Sequence, residues 1–139
     1  NPGAQVACVT GEGSIQMCIQ ELSTCKQYHL PVKIVNLNNG YLGMVRQWQE
    51  FFHDKRYAAT SMLSPDFVKL AGAYDIPAYR VSKRGDVVPT VKKARETRGP
   101  VLIEFQVEKE EAVYPMVPAG SDLHAMIRRP SEAGTEVRS

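Results

Sequence analysis

Much of what would assign a function class at once is scarce in this chain. No apolar run approaches the ~20 residues needed to span a bilayer, which argues against a membrane protein. The opening "NPGAQVACVTG" has no basic segment followed by a long apolar one, so it does not read as a signal peptide. It also has no initiator Met and runs almost directly into an apolar stretch, the look of a chain cut from something longer. The net charge is only +2, and no Lys/Arg cluster is interleaved with aromatics, which excludes an obvious nucleic-acid surface. Three cysteines, Cys8, Cys18 and Cys25, form no CxxC pair; Cys18 and Cys25 fall two helical turns apart. They read as core-facing reduced thiols of a cytoplasmic protein rather than a disulfide or zinc framework. His29, His53 and His124 are isolated, without a second ligand at helical spacing, and carry no catalytic expectation.

What is present suits a folded α/β domain. The chain has 139 residues, 43% of them hydrophobic and 23% charged, enough for one domain with a real core. "VACVT" (6–10) is a short buried-type strand that stops at Gly11. From Ser14, which can cap a helix, apolar residues recur at Ile15, Cys18, Ile19, Leu22 and Cys25, the spacing of a helix face. "VKIVNL" (32–37) is a second β-branched strand, and "LGMVRQWQEFFHDK" a second helix, with Leu42, Val45, Trp48 and Phe52 aligned. Phe51 and Phe52 are consecutive and cannot share one core, so one is expected against a further domain. Ser64 and Pro65 look like the start of the next helix. A strand at 78–82, a helix from about Asp86 to Thr97 and a strongly apolar strand at 100–107 complete the alternation. The expected fold is α/β: a three-layer parallel sheet with helices on both faces. The domain is placed at residues 1–127, with 128–139 as a disordered polar tail. Glu108, Glu110 and Glu111 read as a solvated charge run.

The chemistry is concentrated at two turns. In open parallel sheets ligands sit beyond the carboxyl ends of the strands. Gly11-Glu12-Gly13 follows the first strand and Asn38-Asn39-Gly40 the second, so both can face one crevice. The helix after Gly13 would turn its free N–H groups there, and glycines allow close backbone approach. One carboxylate, one amide oxygen and helix N–H groups suit a diphosphate bridged by Mg²⁺, which takes hard oxygen ligands. Taken alone, a Gly-Glu-Gly turn is a weak signal and more often only a surface turn.

The joint pattern resembles the thiamine diphosphate motif, written Gly-Asp-Gly and, a helix and a strand later, Asn-Asn. More narrowly, "GSIQMCIQELST", "PVKIVNLNNGYLGMVRQWQEFF", "PDFVKLAGAY", "GPVLIEF" and "VYPMVPAG" resemble the C-terminal domain of acetolactate synthase catalytic subunits. The resemblance runs from about Pro2 to Ile127. It implies the thiamine diphosphate-binding fold, with Mg²⁺ held by the side chains of Glu12 and Asn39 and the carbonyl of Tyr41. It further implies that Gly11, Gly13 and Ser14 hold the diphosphate, that Leu42, Gly43 and Met44 lie along the cofactor, and that Met44, Val45 and Trp48 line the substrate channel.

The implied reaction decarboxylates pyruvate and condenses the two-carbon unit with a second 2-keto acid, in branched-chain amino acid biosynthesis. No catalytic residue is expected in this chain. The glutamate that activates the cofactor ring belongs to the family's N-terminal domain, and FAD to its middle domain. Expected partners are therefore those two domains, further copies in a homo-oligomer and a regulatory small subunit, with neither nucleic acid nor membrane. The isolated chain is expected to be inactive. Position 12 departs from the family pattern, carrying Glu where Asp is commoner. The alternatives are another thiamine diphosphate enzyme, such as a glyoxylate carboligase or pyruvate oxidase, and a non-catalytic α/β interaction module with a decayed metal site.

Overall fold

A computed structural model describes residues 4–130. Four strands, β1 (Val6–Gly11), β2 (Val32–Asn38), β3 (Ala78–Val81) and β4 (Val101–Gln106), form one sheet in the order β1-β2-β4-β3. Every neighbouring pair is parallel. Helices α1 (Glu12–Gln16), α2 (Glu21–Gln27), α3 (Gly43–Phe52), α4 (Phe67–Ala73) and α5 (Val87–Glu96) fill the crossovers.

Strand parity sorts the helices onto two faces. On one, Ile34 and Leu102 pack with Ile15 of α1, Leu22 of α2, Phe67 and Ala71 of α4, and Ile76. On the other, Val101, Ile103 and Val81 pack with Ala94 of α5. The three-layer α/β arrangement expected from the sequence is the one observed. The chain runs outward from β1 through β2 to β3 with helices on one face, then steps back to β4 with α5 on the other. A right-handed crossover requires that reversal. Phe67 and Leu102 are fully buried, and truncating a phenylalanine of that kind costs about 3–5 kcal/mol. Buried Lys33 donates to the carbonyls of Thr97 (2.7 Å) and Gly99 (2.6 Å), satisfying acceptors left at the end of α5.

The α5 face covers only half the sheet. β1 pairs with no strand on its outer edge among the described residues, and Val9 is 66% exposed, with Leu37 of β2 exposed beside it. Parallel sheets are ordinarily covered on both faces. Helix α3 contributes to neither core cluster, and Met44, Val45, Trp48 and Phe52 are exposed along it.

Several sequence expectations need correction. The helix from Ser14 to Cys25 is two helices. The N–H groups of Met17, Cys18, Glu21 and Leu22 bond three residues back, tightening the chain into turns between α1 and α2. Ile15, Ile19 and Leu22 stay on the core through that break, but Cys18 is carried to the surface. Cys8 is exposed because β1 is an uncovered edge, and only Cys25 is half-buried, its thiol pushed upward by that burial and by Glu21. All three cysteines are free thiols. Ser14 does not cap α1, whose N-cap is Gly11. Nor do Ser64 and Pro65 start α4; Asp66 caps it, accepting from the N–H groups of Val68 and Lys69, both at 3.1 Å.

Contacts divide the chain after Lys109. By itself, the second unit carries an antiparallel bridge between Met116 and Ile127 and an ion pair between Arg129 and Glu111. The anticipated tail falls mostly on 131–139, outside the described residues. No helix among the described residues is long and apolar enough to cross a membrane.

Candidate functional site

The two glycine-bearing turns meet at the carboxyl end of the sheet. Gly11 closes β1 in extended backbone, and Glu12 enters the first turn of α1, where the helix dipole favours an acid. Its side chain is only 2% exposed. One carboxylate oxygen, Oε1, accepts the backbone N–H of Tyr41 at 2.8 Å. The Oδ1 of Asn39 accepts the same N–H at 3.0 Å. Residues far apart in sequence thus aim two oxygens at one point, separated by no more than those two hydrogen bonds laid end to end.

The loop bearing Asn39 and Tyr41 is held on several sides. Gly40 takes a φ of +74°, a region open mainly to glycine, and its N–H donates to Asn38 Oδ1 at 3.1 Å. From the other side, Met62 N–H donates to Gly40 O at 2.9 Å and Leu42 N–H to Thr60 O at 2.8 Å. A bridge joins Tyr41 to Ser61, and Thr60 is buried. Gly43 opens α3 with the Asn39 amide nitrogen 3.2 Å from where a β-carbon would stand.

This donor set fits a hard dication. A buried carboxylate is costly unless paired, and no lysine or arginine pairs with Glu12 among the described residues. A carboxylate oxygen and an amide oxygen in one place are ligands that Mg²⁺ accepts. No group of three or more His, Cys, Asp or Glu side chains among the described residues could hold a metal, which leaves this mixed oxygen set as the candidate.

The remaining sequence-picked residues surround it unevenly. A β-carbon on Gly11 would meet only the Leu37 carbonyl, at 3.9 Å, whereas one on Gly13 would stand 3.0 Å from Leu42 Cδ2 and 3.2 Å from Met62 Sδ. Gly13 therefore permits close packing against Leu42 and Met62. Ser14 is exposed, as are Leu42, Gly43 and Met44. Along α3, Val45 and Trp48 line a shallow recess of about 490 Å³ with Gln49, His53 and Arg56. Trp48 packs on Phe52 with the rings tilted by 51° and their centroids 5.0 Å apart.

The sequence did not reveal what supports the loop. Asn38 Nδ2 donates to Glu104 Oε1 at 2.8 Å, and Arg80 Nε to Glu104 Oε2 at 2.7 Å. Arg80 also reaches Asp66 at 2.8 Å. Its guanidinium is pushed up chiefly by the Glu104 hydrogen bond, and the Asp66 carboxyl is held down chiefly by the Lys69 N–H. An acid inside "VLIEFQV" was the available signal, since a carboxylate in an apolar strand needs partners. Beside it on β2, Asn36 is fully buried with no partner for either amide atom among the described residues.

Residues 1–105 match the sequence pattern of the thiamine pyrophosphate enzyme, C-terminal TPP binding domain. The chain is similar to acetolactate synthase, mitochondrial, of Schizosaccharomyces pombe: 48% identical over 119 residues, 86% of this chain and 18% of that protein. Against the acetolactate synthase large subunit of Porphyra purpurea it is 45% identical over 129 residues, 91% of this chain and 22% of that one. The acetolactate synthase of Arthrospira platensis is 43% identical over 124 residues, 88% of this chain and 21% of its own length. The chain spans about a fifth of the length of these curated relatives.

Proposed function

The chain belongs to the family of C-terminal, thiamine pyrophosphate-binding domains of thiamine pyrophosphate enzymes, and on that premise we propose that it serves an acetolactate synthase. In this reading it supplies the diphosphate and Mg²⁺ end of the active site within a longer subunit, whose other domains complete the site. Glu12 and Asn39 give the cation their side-chain oxygens and Tyr41 its carbonyl. Convergence of Glu12 Oε1 and Asn39 Oδ1 on the Tyr41 N–H is the observation that carries the proposal.

Bound thiamine diphosphate supplies the electron sink for loss of carbon dioxide from a 2-keto acid, its diphosphate neutralised by Mg²⁺. The chain's residues bind and orient. Glu12, buried and without a cationic partner among the described residues, has its carboxylate oriented by the Tyr41 N–H. Gly11, Gly13 and Ser14 stand at the diphosphate, and Leu42, Gly43 and Met44 along the cofactor. Met44, Val45 and Trp48, on the outer face of α3, select the second keto acid. No residue of this chain takes an acid–base role, which falls to a glutamate of the N-terminal domain. The unpaired β1 edge, the bare half-face of the sheet and the exposed apolar stripe on α3 support partner domains, including a middle domain for FAD and a second copy in a homo-oligomer. A reducing, cytoplasmic setting and a regulatory small subunit belong to the same proposal.

The test is an acetolactate assay with pyruvate, thiamine diphosphate and Mg²⁺. A full-length subunit carrying this chain makes acetolactate, and the 139-residue chain alone does not. Robust turnover by the chain alone would contradict the division of labour. A full-length subunit that couples glyoxylate but not pyruvate would assign it to a different carboligase.

A further inference from the structure

Glu104 is 2% exposed in the middle of β4, where a carboxylate is expensive. Its geometry is not that of a simple ion pair. An arginine meets a lone carboxylate best with two parallel bonds. Here Arg80 gives Glu104 only Nε, at 2.7 Å, and turns Nη2 to Asp66. The other Glu104 oxygen is reserved for the Asn38 amide nitrogen at 2.8 Å.

That contact dictates which way the Asn38 amide faces. An ionised carboxylate only accepts, so it takes the NH₂ end. The oxygen end is thereby presented to Gly40, whose N–H donates to it at 3.1 Å. A reversed amide would set its NH₂ against a backbone N–H and its oxygen against a carboxylate. Gly40 in turn sits at a positive φ between Asn39 and Tyr41. We infer that Glu104 is a positioning residue for the cation loop: acting through Asn38, it sets the conformation that brings Asn39 and Tyr41 to the Glu12 carboxylate. Arg80, itself paired with Asp66, holds Glu104 from the far side. This inference rests on the assignment of Glu12, Asn39 and Tyr41 as the cation site.

The experiment is calorimetric titration of Mg²⁺ into a full-length subunit carrying this chain, at saturating thiamine diphosphate, with folding followed by circular dichroism. Glu104→Gln keeps the volume but offers one oxygen for two donors. Arg80 claims that oxygen, Asn38 loses its acceptor, and Mg²⁺ affinity falls about tenfold, as for outer-shell partners of metal ligands. Asn38→Asp alone sets acceptor against acceptor and weakens binding similarly. Combined, the two substitutions restore one donor facing one acceptor, and the second oxygen of the introduced carboxylate still accepts from the Gly40 N–H. The double variant therefore binds Mg²⁺ more tightly than either single one. A merely volume-filling Glu104 would give an unaltered Glu104→Gln variant and no rescue.

Affinity within about twofold of wild type in folded Glu104→Gln, or a double variant no better than the singles, overturns the inference. If Glu104→Gln does not fold, Asn38→Ala decides: unchanged Mg²⁺ binding overturns it and a loss of about tenfold supports it. Glu12→Ala and Asn39→Ala separate the two levels. If these bind Mg²⁺ normally, the cation site itself is wrong. If they lose binding while the Glu104 and Asn38 variants keep it, only the role of Glu104 fails.

Discussion

The loop at 38–42 and the helix that follows it are adjacent in sequence and opposite in support. Hydrogen bonds donated to Glu104 and to the Thr60 carbonyl, and one donated by the Met62 N–H, fix the loop, and Asn38 ties Gly40 from within. α3 begins at Gly43 and shows a row of apolar side chains with no counterpart in either core cluster. Trp48, 40% exposed, leans on Phe52 of its own helix. The contrast indicates which functions the chain can preorganise by itself. Polar ligands need fixed positions, and the chain supplies the bonds that fix them. An apolar channel wall needs an opposing surface, and among the described residues there is none. In the proposed enzyme, the cation end is thus built into this domain and the substrate end is completed by others.

Substitutions on the two sides should separate cleanly. Asn39→Ala removes a proposed ligand and should weaken Mg²⁺ by roughly a hundredfold or more, beyond the usual loss for outer-shell residues, in a calorimetric titration of the full-length subunit. Trp48→Ala should leave Mg²⁺ affinity alone while changing the preference between pyruvate and 2-oxobutyrate about tenfold, read from kcat/KM for each. A Trp48 variant that lost Mg²⁺ would erase the contrast. Gly43→Ala tests the seam, since its β-carbon would press on Asn39 at 3.2 Å. Mg²⁺ affinity should drop several-fold while thermal stability changes by less than about 1 kcal/mol, alanine being the better helix former.

The smallest effect concerns the far end of the support. Asp66 is held below its ordinary value of 3.8 by the Lys69 N–H, with help from Arg80 and the Val68 N–H. A carboxyl whose folded pKa lies below its unfolded one stabilises the fold above the unfolded value. That stability is lost as pH falls through the folded value. Asp66→Asn should therefore flatten the acid limb of a Tm–pH profile as pH falls below the ordinary carboxylate range. An unchanged limb would remove Asp66 from the support.

The sheet was readable because its strands are short apolar runs ended by turn residues, as at Gly11. That Glu12 and Asn39 would face one crevice was readable from the placement of the two turns after two strands, and the structure sets both side-chain oxygens on the Tyr41 N–H; Tyr41 itself came only from the family resemblance. The break between α1 and α2 was not readable, because Ile15, Ile19 and Leu22 keep a helical period straight through it. The exposure of Cys8 depended on β1 being an edge, which strand order decides and local sequence does not. The Asn38–Glu104 bond joins strands paired in a register that no local pattern fixes. Asp66 rather than Ser64 caps α4, its carboxylate accepting the N–H groups of Val68 and Lys69, a choice between neighbouring cap candidates that local sequence left open.

The most direct test of the central claim is Mg²⁺ titration of the full-length subunit with thiamine diphosphate, comparing Glu12 with Glu12→Gln and Glu12→Asp. Glutamine keeps the shape but not the charge, and aspartate draws the carboxylate back by one methylene. If Glu12 ligates the cation, Glu12→Gln all but abolishes binding and Glu12→Asp tightens it. Equal affinities across the three would contradict the account.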